Sequence, residues 1–110
     1  MDANEWIEEE LYPWFWMKVP KPYIKRDFLF IPKSICGYLP PISVKTMLRY
    51  NGKEWAVTLT SGGRRRLVNG WKQFVVDNNL KKGNVLLFEL VEATSEAVIF
   101  SVEELGLTNA

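Results

Sequence analysis

Short runs of alternating apolar residues, an Asn-Gly pair set between two of them, and only two stretches with helical spacing predict a mainly β domain. With about seven such runs in the sequence, the expected architecture is an antiparallel or mixed β barrel carrying two short helices. A chain of 110 residues is of single-domain size. At that length it buries roughly two-thirds of its unfolded surface, enough for a core without staples.

The elements follow in order. Residues 1–12 read as an acidic N-terminal arm, or a short helix docked by Ile7 and Leu11, and Pro13 stops it. Trp14 to Val19 is an aromatic-rich strand. A loop stiffened by Pro20 and Pro22 follows, carrying Lys21, Lys25 and Arg26, and leads into a strand at Phe28 to Ile31 that Pro32 ends. Lys33 to Leu39 is a helical turn or two, with Ile35 and Leu39 at i, i+4 and Pro40-Pro41 as its stop. Ser43 to Tyr50 alternates, Val44, Leu48 and Tyr50 facing inward against Lys45, Met47 and Arg49. Asn51-Gly52 predicts a type I′ turn, since both central residues must take positive φ, and Glu54 to Thr60 returns with Trp55, Val57 and Leu59 inward.

Ser61-Gly62-Gly63-Arg64-Arg65-Arg66 is then a flexible loop, and Leu67-Val68 a short strand. The stretch Val68 to Leu90 holds the centre of the fold. Asn69-Gly70 offers an N-cap, and Trp71, Phe74 and Val75 at i, i+3, i+4 form one apolar stripe. Asp77-Asn78-Asn79 ends that helix, Leu80 folds back on it, and Lys81 to Asn84 turns the chain into a buried strand at Val85 to Leu90. Glu92 to Glu96 is a turn, Ala97 to Val102 a last strand facing the core through Val98, Phe100 and Val102, and the tail from Glu103 is expected to fray. The domain is accordingly placed at 13–103, with 104–110 as a C-terminal tail.

Composition narrows the function. The sequence has no histidine, which removes the commonest general base and most zinc and triad arrangements. Cys36, the single cysteine, sits in an apolar helical turn and reads as a core residue; it fits a reducing compartment. No carboxylate pair stands on one element, and Gly62-Gly63 lacks the strand-to-helix context of a phosphate cradle. An enzyme is not expected, nor a metal or cofactor. No run has the length of a membrane span and no signal peptide is read at Met1, so a soluble intracellular protein is expected.

The net charge of +1 hides a strong asymmetry. Residues 1–12 carry five acids and no bases, residues 13–72 twelve bases against Asp27 and Glu54, and residues 73–110 two bases against six acids. A basic middle segment folded onto one face attracts polyanions; read blandly, it is a solvated surface. The bases gather in two loops: Lys21, Lys25 and Arg26 on one, Arg64, Arg65 and Arg66 on the other. Arginine's planar fork matches phosphate oxygens and the O6/N7 edge of guanine, and Thr60 and Ser61 could add hydroxyl contacts. A run of three arginines alone is equally a solvated turn or a nuclear import signal. Two such loops on one small barrel favour nucleic acid. The rival use of the tryptophans is an aromatic cage for methyl-lysine, but Trp55 and Trp71 read as core and the neighbours of the others in the sequence are basic.

The ordered set Phe28-Leu29-Phe30-Ile31-Pro32-Lys33, Trp55-Ala56-Val57, Gly70-Trp71-Lys72-Gln73-Phe74-Val75 and Leu80-Lys81-Lys82-Gly83-Asn84-Val85-Leu86-Leu87-Phe88 resembles the plant-specific B3 DNA-binding domain, most closely its reproductive-meristem subgroup. The resemblance covers roughly Trp14 to Glu103; Asn84 stands where that family usually has Asp. It implies an open seven-stranded β pseudobarrel with two short α-helices, in a nuclear transcription factor that grips double-stranded DNA in the major groove between two arms. Carried onto this chain, the arms are Lys18 to Asp27 and Ser61 to Leu67, and Lys33 matches a position suited to a backbone phosphate. The expected contact set is Lys18, Lys21, Lys25, Arg26, Lys33, Ser61, Arg64, Arg65 and Arg66. The alternative is a protein-interaction module that keeps the fold with weak or no DNA affinity.

Overall fold

The computed structural model describes residues 12–20 and 26–106. The acidic arm up to residue 11, the loop 21–25 with Lys21 and Lys25, and the last four residues lie outside the described residues. The described strands are β1 (Trp14–Lys18), β2 (Phe28–Phe30), β3 (Val44–Tyr50), β4 (Lys53–Leu59), β5 (Arg66–Val68), β6 (Val85–Ala93) and β7 (Val98–Leu105). Helix α1 (Lys33–Cys36) lies between β2 and β3, and α2 (Trp71–Asp77) between β5 and β6.

The strands form one curled sheet in the order β1-β6-β7-β3-β4-β5-β2. All pairings are antiparallel except β3 with β7. The sheet is therefore the expected mixed, open seven-stranded half-barrel, with β1 and β2 as its two edges. The β1–β2 connection joins those edges.

Local chemistry explains the best-formed pieces. Asn51 and Gly52 take φ of 51° and 78°, and seven cross-strand pairs from Tyr50↔Lys53 to Val44↔Leu59 follow from that turn. Inward residues of each strand meet in one core. Phe15 stacks on Phe88 at 4.7 Å between ring centroids, and Phe100 stands edge-on to both at 5.9 Å. Helix α2 closes the barrel: Trp71, Phe74 and Val75 are buried, and Trp71 packs on Phe74 at 5.6 Å and Phe88 at 6.3 Å. Leu80 folds back as expected, its N–H donating to Val75 O at 3.0 Å. Asn84 closes its turn by accepting from Lys81 N at 2.6 Å through Oδ1.

Two local expectations are corrected. Within the Asn69-Gly70 pair the N-cap position falls on Gly70, which has no side chain to cap with, and Asn69 takes a left-handed conformation (φ 54°) and does not cap the helix that begins at Trp71. The cap comes from Asp27, whose Oδ1 accepts from Lys72 N at 2.8 Å and Gly70 N at 3.4 Å. A carboxylate there also meets the positive end of the helix dipole. Secondly, Glu103 to Leu105 does not fray. It pairs with Leu87, Leu86 and Val85 as the end of β7, since backbone hydrogen bonds to a central strand need no apolar side chain.

Candidate nucleic-acid interface

Edge strand β2 alternates, burying Leu29 and turning Phe28 and Phe30 outward. Their rings meet edge-to-face at 5.1 Å, and three guanidiniums gather on them. Arg64 Cζ stands 3.7 Å from the Phe30 centroid, Arg26 Cζ 5.0 Å and Arg66 Cζ 5.3 Å from that of Phe28. Arg26 comes from the first loop, Arg64 from the second and Arg66 from the start of β5, so both basic loops reach the same aromatic pair. The β2–β5 register, Phe28↔Val68 and Phe30↔Arg66, sets this up. Each stacked guanidinium gains about 0.5–1 kcal/mol at an exposed site, and its N–H edge stays open to an acceptor. Among the described residues the only ion pair is Arg49–Glu54, so no carboxylate neutralises this cluster. Asp27, next to Arg26, is engaged at the start of α2.

The three successive arginines part ways. Arg64 is exposed and Arg66 half-buried, but Arg65 is only 7% exposed. Its Nε donates to Thr60 O at 2.7 Å, Nη1 to Pro40 O at 2.6 Å and Nη2 to Ile42 O at 2.8 Å. The expected outward triple is therefore an outward pair, because the carbonyls of the α1–β3 connection take up the middle fork. That staple fixes the root of the second loop. Thr60 N donates to Arg66 O at 2.9 Å, and Thr60 Oγ1 accepts from Arg66 N at 2.9 Å. Ser61 to Arg64 then stand exposed beyond a rigid base.

Lys33 is exposed at the start of α1 and lines one groove with Arg64, beside Ile31, Pro32 and Gly63. Lys18 stands exposed at the end of β1, on the opposite sheet edge, where the chain enters the first loop. The structure thus brings Arg26, Arg64, Arg66 and Lys33 to one region. The aromatic platform was missed in the sequence, although its signal was there: two aromatic residues at i, i+2 on a short strand with arginine two places before.

Cys36 is half-buried and donates weakly to Pro32 O at 3.4 Å, a packing role. Among the described residues no His, Cys, Asp and Glu group could hold a metal ion.

A family model described as the B3 DNA binding domain matches residues 15–104. A B3 domain-containing protein of Oryza sativa subsp. japonica is 34% identical over 82 residues, covering 72% of this chain and 38% of its own length. The Arabidopsis thaliana B3 domain-containing transcription factor VRN1 is 31% identical over 86 residues, covering 76% of this chain and 25% of that protein. The chain thus spans well under half the length of these relatives. Among solved structures, a hypothetical Arabidopsis thaliana protein superposes with a TM-score of 0.63 at 27% identity, covering 86% of this chain and 93% of that one. The protein of the Arabidopsis FUS3-DNA complex shares the fold at a TM-score of 0.55 and 13% identity, covering 81% and 94%.

Proposed function

This chain belongs to the B3 DNA-binding domain family, and from that premise we propose that it binds double-stranded DNA through its two basic loops in the major groove. It does so as the DNA-reading part of a plant transcription factor of the reproductive-meristem type, working in the nucleus. The convergence of Arg26 with Arg64 and Arg66 on Phe28 and Phe30 carries this reading. Two loops rooted on a single strand pair can address one duplex together.

Arginines already stacked on rings lose less rotamer freedom when they meet a phosphate or a base edge. Lys33 beside them adds a point charge for a neighbouring phosphate, and Lys18, Lys21, Lys25 and Ser61 complete the set along the two loops. Arg65 holds the second loop at its required angle and is assigned no DNA contact. That a related fold was solved as a complex with DNA supports the partner class. The likeness to VRN1, a B3 domain-containing transcription factor, supports the transcriptional role.

Fluorescence anisotropy against a random duplex at several salt concentrations tests the proposal. Neutralising about five or six phosphates gives a slope of log affinity on log salt near −5. A flat response, or no binding at micromolar protein and low salt, would instead promote the protein-interaction reading.

A further inference from the structure

On the outer face of the opposite sheet edge, Trp14 and Trp16 are 59% and 55% exposed, and Tyr12, two residues before the strand, is 52% exposed. The strand register sets this face in three rows. Trp14 lies across from Glu89 and then Ser101, Trp16 from Leu87 and then Glu103, and Lys18 from Val85 and then Leu105. Residues directly across a ladder have Cβ atoms about 5 Å apart, so Glu89 sits within reach of Trp14, while Glu103 stands one strand further on, about 10 Å from Trp16 across Leu87. Neither Glu89 nor Glu103 has an ionic partner among the described residues. The segment 84–105 carries five glutamates and no lysine or arginine. Trp14, which follows the acidic arm and precedes the basic loop in sequence, thus has an acidic neighbour in space, and Trp16 a second carboxylate one strand beyond Leu87. This reverses the expectation drawn from the linear order.

Exposed indoles flanked by unpaired carboxylates attract a guanidinium or ammonium group with an apolar stem, through the ring face and the charge together. Trp14 and Trp16 are two residues apart on a strand, a spacing of about 7 Å that equals the i, i+2 repeat of an extended peptide. The surface is continuous with half-buried Leu87 and Val85 along one face of the strands, so it suits stacking of successive side chains rather than a closed cage. We propose that this face docks an extended Lys/Arg-rich peptide segment of another protein, with basic side chains at alternate positions over Trp14 and Trp16 and paired to Glu89 and Glu103. The site needs no DNA and does not depend on the loops at β2.

The probe is a fluorescein-labelled octapeptide of alternating Arg and Ser, with alternating Glu and Ser as the control. It is titrated into the full chain while the indole N–H resonances are followed by NMR. The basic peptide should shift the Trp14 and Trp16 signals, leave that of buried Trp71 in place, and bind at least tenfold more tightly than the acidic one. Replacing both residues, Trp14→Ser with Trp16→Ser, should weaken it at least tenfold. Glu89→Gln with Glu103→Gln, which keeps shape and folding, should weaken it about fivefold at low salt and flatten its salt dependence. Duplex DNA affinity should stay within twofold of the parent in both variants. Unmoved indoles at millimolar peptide, or unchanged affinity in the glutamine variant, would overturn the proposal. Shifts of the same indoles on raising the protein concentration alone would assign the face to self-association instead. Shifts on adding duplex would assign it to the DNA interface.

Discussion

Replacing Arg65 by alanine should unfold the domain more readily without removing a DNA contact. Its guanidinium makes three hydrogen bonds to the carbonyls of Thr60, Pro40 and Ile42. At about 1.5–3 kcal/mol for each bond to a charged donor, the gross loss is roughly 4–9 kcal/mol. Relief from burying a cation returns several kcal/mol of that, leaving a net destabilisation of about 2–4 kcal/mol. With about 2.1 cal/mol/K of unfolding entropy per residue, 110 residues turn this into a Tm lowered by about 9–17 °C. The Arg65→Lys variant should recover less than half, because one ammonium cannot span three carbonyls as a planar fork does. Arg64→Ala is the contrast. It loses one stacking contact of about 0.5–1 kcal/mol, so Tm moves by a few degrees at most, while DNA affinity falls about tenfold and the salt slope shrinks by about 0.9. Differential scanning calorimetry and anisotropy on the same preparations read both quantities. A parent-like Tm for Arg65→Ala together with a DNA loss matching that of Arg64→Ala would refute the division of labour.

Phe30→Ala should weaken DNA binding about threefold to fivefold, with little change in secondary structure by circular dichroism, because it frees the Arg64 guanidinium from its ring; the size follows from a cation–π contact of about 0.5–1 kcal/mol. Gly70→Ala should cost at least about 3 kcal/mol in urea denaturation, since φ is +143° and an added Cβ would press into the backbone carbonyl of Ala56. The Asp77 carboxylate accepts from Trp55 Nε1 at 2.9 Å and Gln73 Nε2 at 2.7 Å, and these bonds, the Trp55 bond foremost, hold its pKa below the ordinary value. The folded state favours ionised Asp77, so this contribution is complete above about pH 4 and is lost as pH falls through the lowered value. The Trp55 indole N–H shift should titrate with a midpoint below the ordinary aspartate value, and Asp77→Asn should abolish that titration.

What could be read from the sequence separates from what could not along one physical line, the distance over which the deciding contact acts. The β3–β4 hairpin was legible because positive φ at Asn51 and Gly52 is a local demand, and the register then follows residue by residue. The Trp71, Phe74, Val75 stripe was legible for the same reason, being set by helical pitch. The cap on α2 was not, because its acceptor, Asp27, stands 45 residues before Lys72 and nearby Asn69 offered a plausible substitute. Arg64, Arg65 and Arg66 are chemically identical, and only the carbonyls of Pro40 and Ile42, 25 and 23 residues upstream, decide which of them turns inward. Charge counting found both basic loops but could not show that Arg26 meets Arg64 and Arg66; that depends on Phe28 lying opposite Val68, a pairing between strands far apart in the chain. The same pairing logic places Glu89 opposite Trp14. One barrel thus carries a cationic cluster at β2 and carboxylates beside exposed indoles at β1, two local features that a net charge of +1 does not reveal. The salt response should therefore depend on the partner: with duplex it is governed by the arginines at β2, whereas with a basic peptide it survives their removal and disappears with Glu89 and Glu103.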